Sequence, residues 1–204
     1  MIRVLAVDDH ALFRGGIAAL VGHQSDMTLV AEASNGQDAI QQFRAHRPDV
    51  TLMDLQMPEM NGTDAMIAIR GEFPEARVIV ITTYIGDVQV LRALKAGARA
   101  YLLKNLLHKE LVETIRAVHA GKKVLSPEIS FQIAEHAADD TLNPGEIDVL
   151  RLIAGGHANK EIAAQLSVPE ETVKGRVRSI LAKLGANDRT HAAMIGLKRG
   201  IIEL

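Results

Sequence analysis

The chain has 204 residues, 48% hydrophobic and 24% charged, with a net charge of −2 and no cysteine. This length suits one large or two small domains with a sizeable core and argues against a disordered chain. The missing cysteine excludes a disulfide framework, a thiolate zinc site and a cysteine nucleophile. The opening MIRVLAVDD lacks the basic-then-apolar pattern of an export signal, and no apolar run reaches the ~18 residues that cross a bilayer. The expectation is a soluble cytoplasmic protein with no membrane contact.

The first 121 residues alternate in type. Short β-branched and apolar runs at Ile2–Val7, Thr28–Ala33, Val50–Met53, Val78–Ile81 and Ala100–Leu103 predict five strands. Segments with helical spacing lie between and after them, at about 11–22, 36–46, 62–72, 86–97 and 108–120. This alternation predicts βαβ units and an α/β fold with a parallel sheet and right-handed crossovers. Several strands are apolar throughout, as strands covered by helices on both faces must be. Residues 122–140 are expected to be a linker, with Ser126-Pro127-Glu128 starting a short helix over 129–136.

From residue 141 the pattern is all helical. Asn143-Pro144-Gly145-Glu146 predicts a helix start, with Asn143 as cap, Pro144 first in the helix and Glu146 closing a capping box. That helix runs to about Ala154. Asn159–Leu166 is a short second helix, Ser167-Val168-Pro169 a turn, and a third helix runs to about Leu184 before Gly185. Asp188–Arg199 is a fourth. A short helix, a tight turn and a longer basic helix make a helix-turn-helix candidate. Charge divides the same way. Residues 1–140 carry 14 basic and 18 acidic residues, and 141–204 carry 9 and 7, so an acidic front precedes a mildly basic back.

Sites of open parallel sheets lie beyond the carboxyl ends of the strands. Asp8 and Asp9 follow the first strand, and Asp54 ends the third. Such carboxylates repel one another, and a divalent cation relieves that cost. An oxygen-rich set without Cys suits Mg²⁺, which commonly binds together with phosphate oxygens. Asp54 is then the candidate nucleophile for an aspartyl-phosphate. Thr82 and Lys104, ending the fourth and fifth strands, supply a hydroxyl and an ammonium for phosphoryl oxygens. A single Asp after a strand is commonly a helix cap, and Asp-Asp alone is a weak motif. Five such groups at four strand ends are much harder to explain by capping.

VDDH at 7–10, MDLQMPEMNG at 53–62, VITTY at 80–84 and GARAYLLK at 97–104 resemble the receiver domain of bacterial response regulators. LNPGEIDVLRLIAGGHANKEIAAQL and VPEETVKGRVRSILAKLG resemble the LuxR-type helix-turn-helix domain, and together they resemble the NarL/FixJ class of two-component regulators. The resemblance implies a flavodoxin-like (βα)5 receiver over 1–121 with strand order 2-1-3-4-5, a linker, and an all-α four-helix DNA-binding domain over 141–204. It implies Asp54 as phosphoacceptor, with Asp8, Asp9 and the Gln56 backbone carbonyl completing the Mg²⁺ ligands. Thr82 and Lys104 match the phosphate-sensing pair, and Tyr101 the aromatic switch. Many receivers have Pro after that lysine; here Asn105 follows, so a trans peptide is expected. The implied partners are a sensor histidine kinase and double-stranded promoter DNA. A homodimer is expected on phosphorylation, through the Tyr101 face or the surface near the first and fifth helices, with RNA polymerase as a further expected contact. Gln56 and Tyr84 flank the phosphate and are expected to control water access.

From Thr172 to Asn187 there is no acidic residue, but there are Lys174, Arg176, Arg178 and Lys183. Lys174 and Arg178 share a helix face, while Val173, Val177, Ile180, Leu181 and Leu184 supply the opposite, core-facing stripe. Such a helix suits the major groove. The resemblance puts Lys174, Gly175 and Arg178 on the groove side and Thr172, Lys160 and Lys183 near phosphates. Gly175 and Arg176 replace a larger residue and a His frequent there, and Gly145 a commonly basic one. Gly175 offers no side chain for base readout and costs ~1 kcal/mol of helix propensity against Ala. Base specificity then rests mainly on Lys174 and Arg178, or partly on DNA shape.

His10, His108 and His157 read as surface or cap residues, and Met53, Met57 and Met60 as packing around the acidic site. The favoured function is a phosphorylation-controlled transcription regulator rather than an enzyme acting on external substrates. One rival is an aspartyl-phosphate hydrolase, which the lack of a second carboxylate two residues after Asp54 opposes. The other is a phospho-switched protein-interaction module that does not bind DNA.

Overall fold

The computed structural model describes residues 1–83, 86–127, 129–131 and 141–202, with the side chains of 87 and 106–109 also outside the description. The chain divides into two compact units, residues 1–84 with 90–130 and residues 85–89 with 131–204.

In the first unit the strands are β1 (Ile2–Val7), β2 (Met27–Ala33), β3 (Val50–Asp54), β4 (Val78–Thr82), β5 (Ala100–Leu103) and β6 (Val124–Leu125). They form one sheet of order β2-β1-β3-β4-β5-β6, with every pairing parallel. The expected order 2-1-3-4-5 is present, and the sheet extends one strand beyond it. Val124 and Leu125 pair with Ala100 and Tyr101, inside the stretch expected to be linker. The reason is local: Gly121 closes the preceding helix at φ +87°, and the extended chain that follows falls beside the open edge of β5. Pro127 and Ile129–Phe131 are helical, and the rest of the expected short helix and linker, 132–140, lies outside the described residues.

The helices are α1 (Ala11–Gly22), α2 (Gly36–His46), α3 (Gly62–Glu72), α4 (Asp87–Lys95) and α5 (Leu107–His119), with a 3₁₀ turn at Lys104–Leu106 before α5. Every residue of β3 and β4 is buried, as the apolar runs predicted. Ile17 and Val21 of α1 and Leu111, Ile115 and Val118 of α5 form a continuous core with Val4, Ala6, Leu52, Ile79, Ile81 and Leu102. Asn35 and Asn61 cap α2 and α3, accepting from the Asp38 and Asp64 amides at 2.8 and 2.9 Å. Gly62 is required where it stands. A Cβ there would lie 1.9 Å from the Asp54 carbonyl oxygen, so only glycine lets α3 start directly against the end of β3.

The second unit contains α6 (Pro144–Ala154), α7 (Asn159–Gln165), α8 (Glu170–Leu184) and α9 (Arg189–Lys198). The capping box at Asn143 forms as read, with Asn143 Oδ1 accepting from the Glu146 amide at 3.0 Å and the Asn143 amide donating to Glu146 Oε2 at 2.8 Å. Pro169, the last residue of the expected turn, caps α8. Val149, Leu150, Ile153, Ile162, Val173 and Ile180 form the core, with Val177, Leu181 and Leu184 packed at its edge. The stripe expected to face inward on α8 does so. Among the described residues no helix is long and apolar enough to cross a membrane, and there is no cis peptide bond.

One buried group in the sheet has no partner. The Thr51 hydroxyl, in the middle of β3, is fully buried without a hydrogen bond. Thr51→Val keeps the side-chain shape and removes the unsatisfied hydroxyl, so it should stabilise the first unit by about 1 kcal/mol. Thermal unfolding checks this, and a lower melting temperature in the variant contradicts it.

Candidate functional site

The parallel order brings the ends of β1, β3, β4 and β5 to one edge of the sheet, and the expected side chains meet there. Asp8 and Asp54 are almost fully buried. Lys104, just past β5, places its ammonium nitrogen 2.7 Å from Asp8 Oδ2 and 2.7 Å from Asp54 Oδ2. The Lys104 ammonium also lies 4.7 Å from the centre of the Phe13 ring on α1. Burial pushes the Asp54 carboxyl up from its ordinary pKa, and the Lys104 ammonium opposes that rise. Burial alone would depress Lys104, but Asp54 and Asp8 outweigh it and its pKa is raised. The Gln56 amide donates to Asp54 Oδ1 at 3.3 Å, and the Gln56 side chain is exposed.

Asp8, Asp9, Asp54 and His10 each offer a ligand atom, all within 4.8 Å of one another. Three carboxylates form a donor set that fits a hard divalent cation. His10 caps α1, and its ring nitrogen Nδ1 lies 2.7 Å from Asp9 Oδ1 and 3.3 Å from Asp8 Oδ1. Arg14 donates to the Asp8 carbonyl at 2.6 Å and reaches Glu32 on β2 at 3.1 Å, which ties the Asp8 backbone to the neighbouring strand.

Thr82, at the end of β4, is fully buried. Tyr101 is also fully buried, so its ring sits inward, and the side chains of Tyr101 and Thr82 are hydrogen-bonded. Burial pushes the Tyr101 phenol well above its ordinary pKa, more than that hydrogen bond lowers it. The ring is thus a neutral filler beneath Thr82. Of the expected neighbours, Met53 is fully buried, and Met60 packs on Gly36, where a Cβ would come within 2.6 Å of it. Tyr84 lies outside the described residues, as does the side chain of His108.

In the second unit α8 carries the expected basic residues, but they divide into two kinds. Lys160 on α7 and Thr172, Lys174, Gly175 and Arg178 on α8 are exposed. Arg176 and Lys183 turn back onto their own unit. Arg176 Nη1 approaches the Gly145 carbonyl at 3.4 Å, and a Cβ at Gly145 would meet the guanidinium at 2.9 Å. The two departures from the common pattern, Gly145 and Arg176, therefore fit each other. Lys183 donates to Glu146 Oε2 at 2.9 Å and to the Thr141 carbonyl at 3.2 Å. Glu146 is 3% exposed and also accepts from Ser179 Oγ at 2.6 Å. Burial raises the Glu146 pKa, but Ser179, Lys183 and the Asn143 amide together hold it below the ordinary value of 4.5.

Comparison with known proteins matches residues 4–116 to the response regulator receiver domain and residues 140–195 to the luxR family of bacterial regulatory proteins. The response regulator protein VraR of Staphylococcus aureus is 35% identical over 99% of both chains. The chain belongs to the response regulators. Two solved structures agree. A LuxR-family two-component response regulator from Aurantimonas is 34% identical over 68% of this regulator and 99% of its own chain, with a TM-score of 0.64. ChrA, the response regulator of a heme-sensing two-component system, is 32% identical over 98% of both chains, with a TM-score of 0.59. The regulator therefore combines a receiver domain with a LuxR-type DNA-binding domain that serves transcription regulation.

Sequence reading of the regulator missed three side chains near these sites. His10 is the exposed cap expected, but nothing in VDDH shows that its ring turns back onto the carboxylates. Arg14 fell inside an ordinary helix. Glu146 was visible as a capping residue, but its bonds to Ser179 and Lys183 cross to another helix. Replacing Glu146 by Ala leaves Lys183 without its buried partner and should cost about 2–4 kcal/mol in the DNA-binding domain. Because the folded pKa of Glu146 is depressed, its stabilisation is complete above pH 4.5 and is lost as pH falls through the folded value. Chemical unfolding across that pH range should show a weaker pH dependence in Glu146→Gln than in the parent chain, where Asp26 and Glu72 also contribute. An unchanged pH dependence in the glutamine variant contradicts the role.

Proposed function

We propose that the regulator is switched by phosphorylation of Asp54 and that phosphorylation controls dimerisation and binding of promoter DNA through α8. The observation that carries the first part is the contact of Lys104 with Asp54 and Asp8 at 2.7 Å beside buried Thr82. In this reading the Asp54 carboxylate attacks the phosphorus of a phosphohistidine on a partner histidine kinase. The P–N bond breaks, the P–O bond forms, and the leaving imidazole nitrogen takes up a proton. Asp8, Asp9, Asp54 and the Gln56 carbonyl would hold Mg²⁺, which when bound would neutralise charge on the transferring oxygens. Lys104 pairs with one phosphoryl oxygen and the Thr82 hydroxyl donates to another. Thr82 is hydrogen-bonded to Tyr101, so its reorientation carries the event to the aromatic switch.

The second part rests on the LuxR-family match and on the exposed groups of α8 and α7. Lys174, Gly175 and Arg178 face the major groove, and Lys160 and Thr172 meet phosphates. Lys183 takes a different part from the phosphate contact first expected. Its ammonium is held by Glu146 and the Thr141 carbonyl, so it positions α8. Leu12, 91% exposed beside an apolar pocket of about 470 Å³ along α1, supports that helix as a docking face for a second copy. The proposed organisation keeps a receiver over 1–121 and a DNA-binding domain over 141–204, with the linker's first residues joining the sheet as β6. A cytoplasmic location and contact with RNA polymerase complete the reading. Turnover of external phosphoesters is not part of it.

With a small acyl phosphate and Mg²⁺, the parent chain should acquire one acid-stable, base-labile phosphoryl group and Asp54→Ala none. Equal labelling of the two overturns the assignment, and catalytic hydrolysis of aryl phosphates favours the hydrolase instead. Duplex binding should weaken with salt at a shallow slope of about −1 per protomer, from the one exposed cation assigned to a phosphate, Lys160, at about −0.9. Salt-independent binding, or binding only to protein, favours the interaction module.

A further inference from the structure

We propose that Glu171 is a base-selecting residue of α8, which reads cytosine in the major groove and restrains Lys174 and Arg178 from indiscriminate phosphate contact. The inference rests on the DNA-binding reading above. Glu171 lies in the first turn of α8, where a recognition helix meets base edges. Residues 171, 174, 175 and 178 lie three, four and seven apart and share one helix face. The Glu171 carboxylate stands between the two cations, 3.4 Å from Lys174 Nζ and 3.8 Å from Arg178 Nη2. All three side chains are open to solvent, with Glu171 74%, Lys174 44% and Arg178 77% exposed. Between them Gly175 leaves open space, with no atom within 4 Å of where its Cβ would be. Lys174 is also 3.5 Å from Glu170, and these acidic neighbours hold its pKa above the ordinary lysine value.

The charge balance of this face decides what it does. Arg176 and Lys183 are committed to their own unit, so the exposed face offers Lys174 and Arg178 against Glu170 and Glu171. Such a face is formally neutral and attracts the phosphate backbone weakly. A carboxylate brought into the groove is repelled unless it finds a donor. Adenine presents N6–H beside the acceptor N7, and guanine presents two acceptors. Cytosine alone offers an amino donor without an adjacent acceptor on the same base. Its paired guanine then presents O6 and N7 to Lys174 or Arg178, so one C·G pair satisfies both signs of charge that this face carries.

Acidic residues in a first helical turn also favour the helix dipole, and pairs at these spacings support the helix. That role alone predicts altered unfolding and unaltered base preference. The full-length chain, phosphorylated with a small acyl phosphate and Mg²⁺, is used to select duplexes from a randomised library. Selection is repeated with Glu171→Ala and Glu171→Gln, and binding to a fixed random-sequence duplex is measured in parallel. The parent chain should enrich cytosine at one position per half-site by about five- to a hundredfold, the range of one good base contact. Glu171→Ala should lose that preference and bind the random duplex several-fold more tightly. Glu171→Gln should shift the position toward adenine, which a glutamine amide matches. Identical base frequencies in all three selections, with only the melting temperature changed, overturn the proposal. A parent chain that selects no duplex removes the DNA reading itself, and the proposal with it.

Discussion

The contact on which the receiver's site depends is the Lys104 ammonium lodged between Asp8 and Asp54, 2.7 Å from each. Two buried carboxylates cannot both stay ionised in one pocket without a cation between them, because each is desolvated and each repels the other. Three strands deliver the parts: β1 brings Asp8, β3 brings Asp54, and β5 runs directly into Lys104. Only a parallel sheet with β3 beside β1 and β5 close by can set these strand ends on one edge. The fold is thus the device that concentrates like charge, and Lys104 is the counter-charge that makes the concentration tolerable. In the proposed mechanism a divalent cation and a phosphoryl group enter the same balance. Lys104 would then turn from Asp54 toward the new oxygens.

Around this contact the packing has little freedom. Gly62 holds the start of α3 against the Asp54 carbonyl, and Arg14 fixes the Asp8 carbonyl from the other side. Tyr101 fills the space beneath Thr82. The DNA-binding domain solves a similar problem with the opposite parity. There one buried carboxylate, Glu146, gathers three donors: Ser179 Oγ, Lys183 Nζ and the Asn143 amide. Because Ser179 and Lys183 lie on α8 and Asn143 caps α6, that carboxylate sets the angle of the helix that carries the exposed Lys174 and Arg178.

Much of this was legible in the residues, and the exceptions have a common cause. β3, β4 and β5 were readable because strands buried on both faces are almost wholly apolar, β1 because only the exposed Arg3 interrupts its apolar run, and α8 because its inward stripe repeats at helical spacing. Asp8, Asp54, Thr82 and Lys104 were readable because parallel strands end at one edge whatever the intervening helices contain. β6 was not, since two residues have no periodicity and their pairing is set by where β5 leaves an open edge. His10 and Lys183 show the same limit for side chains. A sequence displays the charge of Lys183, but its partner Glu146 lies 37 positions away and is brought to it by helix packing. Local signals survive in one dimension, whereas an ion pair across two helices does not.

The commitment of Lys183 and Arg176 to partners within their own unit changes what the excess positive charge of the second half means. A net of +2 over residues 141–204 suggests a surface attractive to DNA, yet the exposed face of α8 balances two cations with two carboxylates. A single copy of such a helix has little nonspecific hold on a phosphate backbone. Useful affinity in the proposed mechanism must come from two copies engaging two half-sites, where the second contact is made at high effective concentration. In the proposed mechanism, weak electrostatics on α8 is what would let phosphorylation in the receiver matter. If one protomer bound DNA tightly by charge alone, dimerisation would add little. A neutral recognition face would leave the proposed dimerisation step in control.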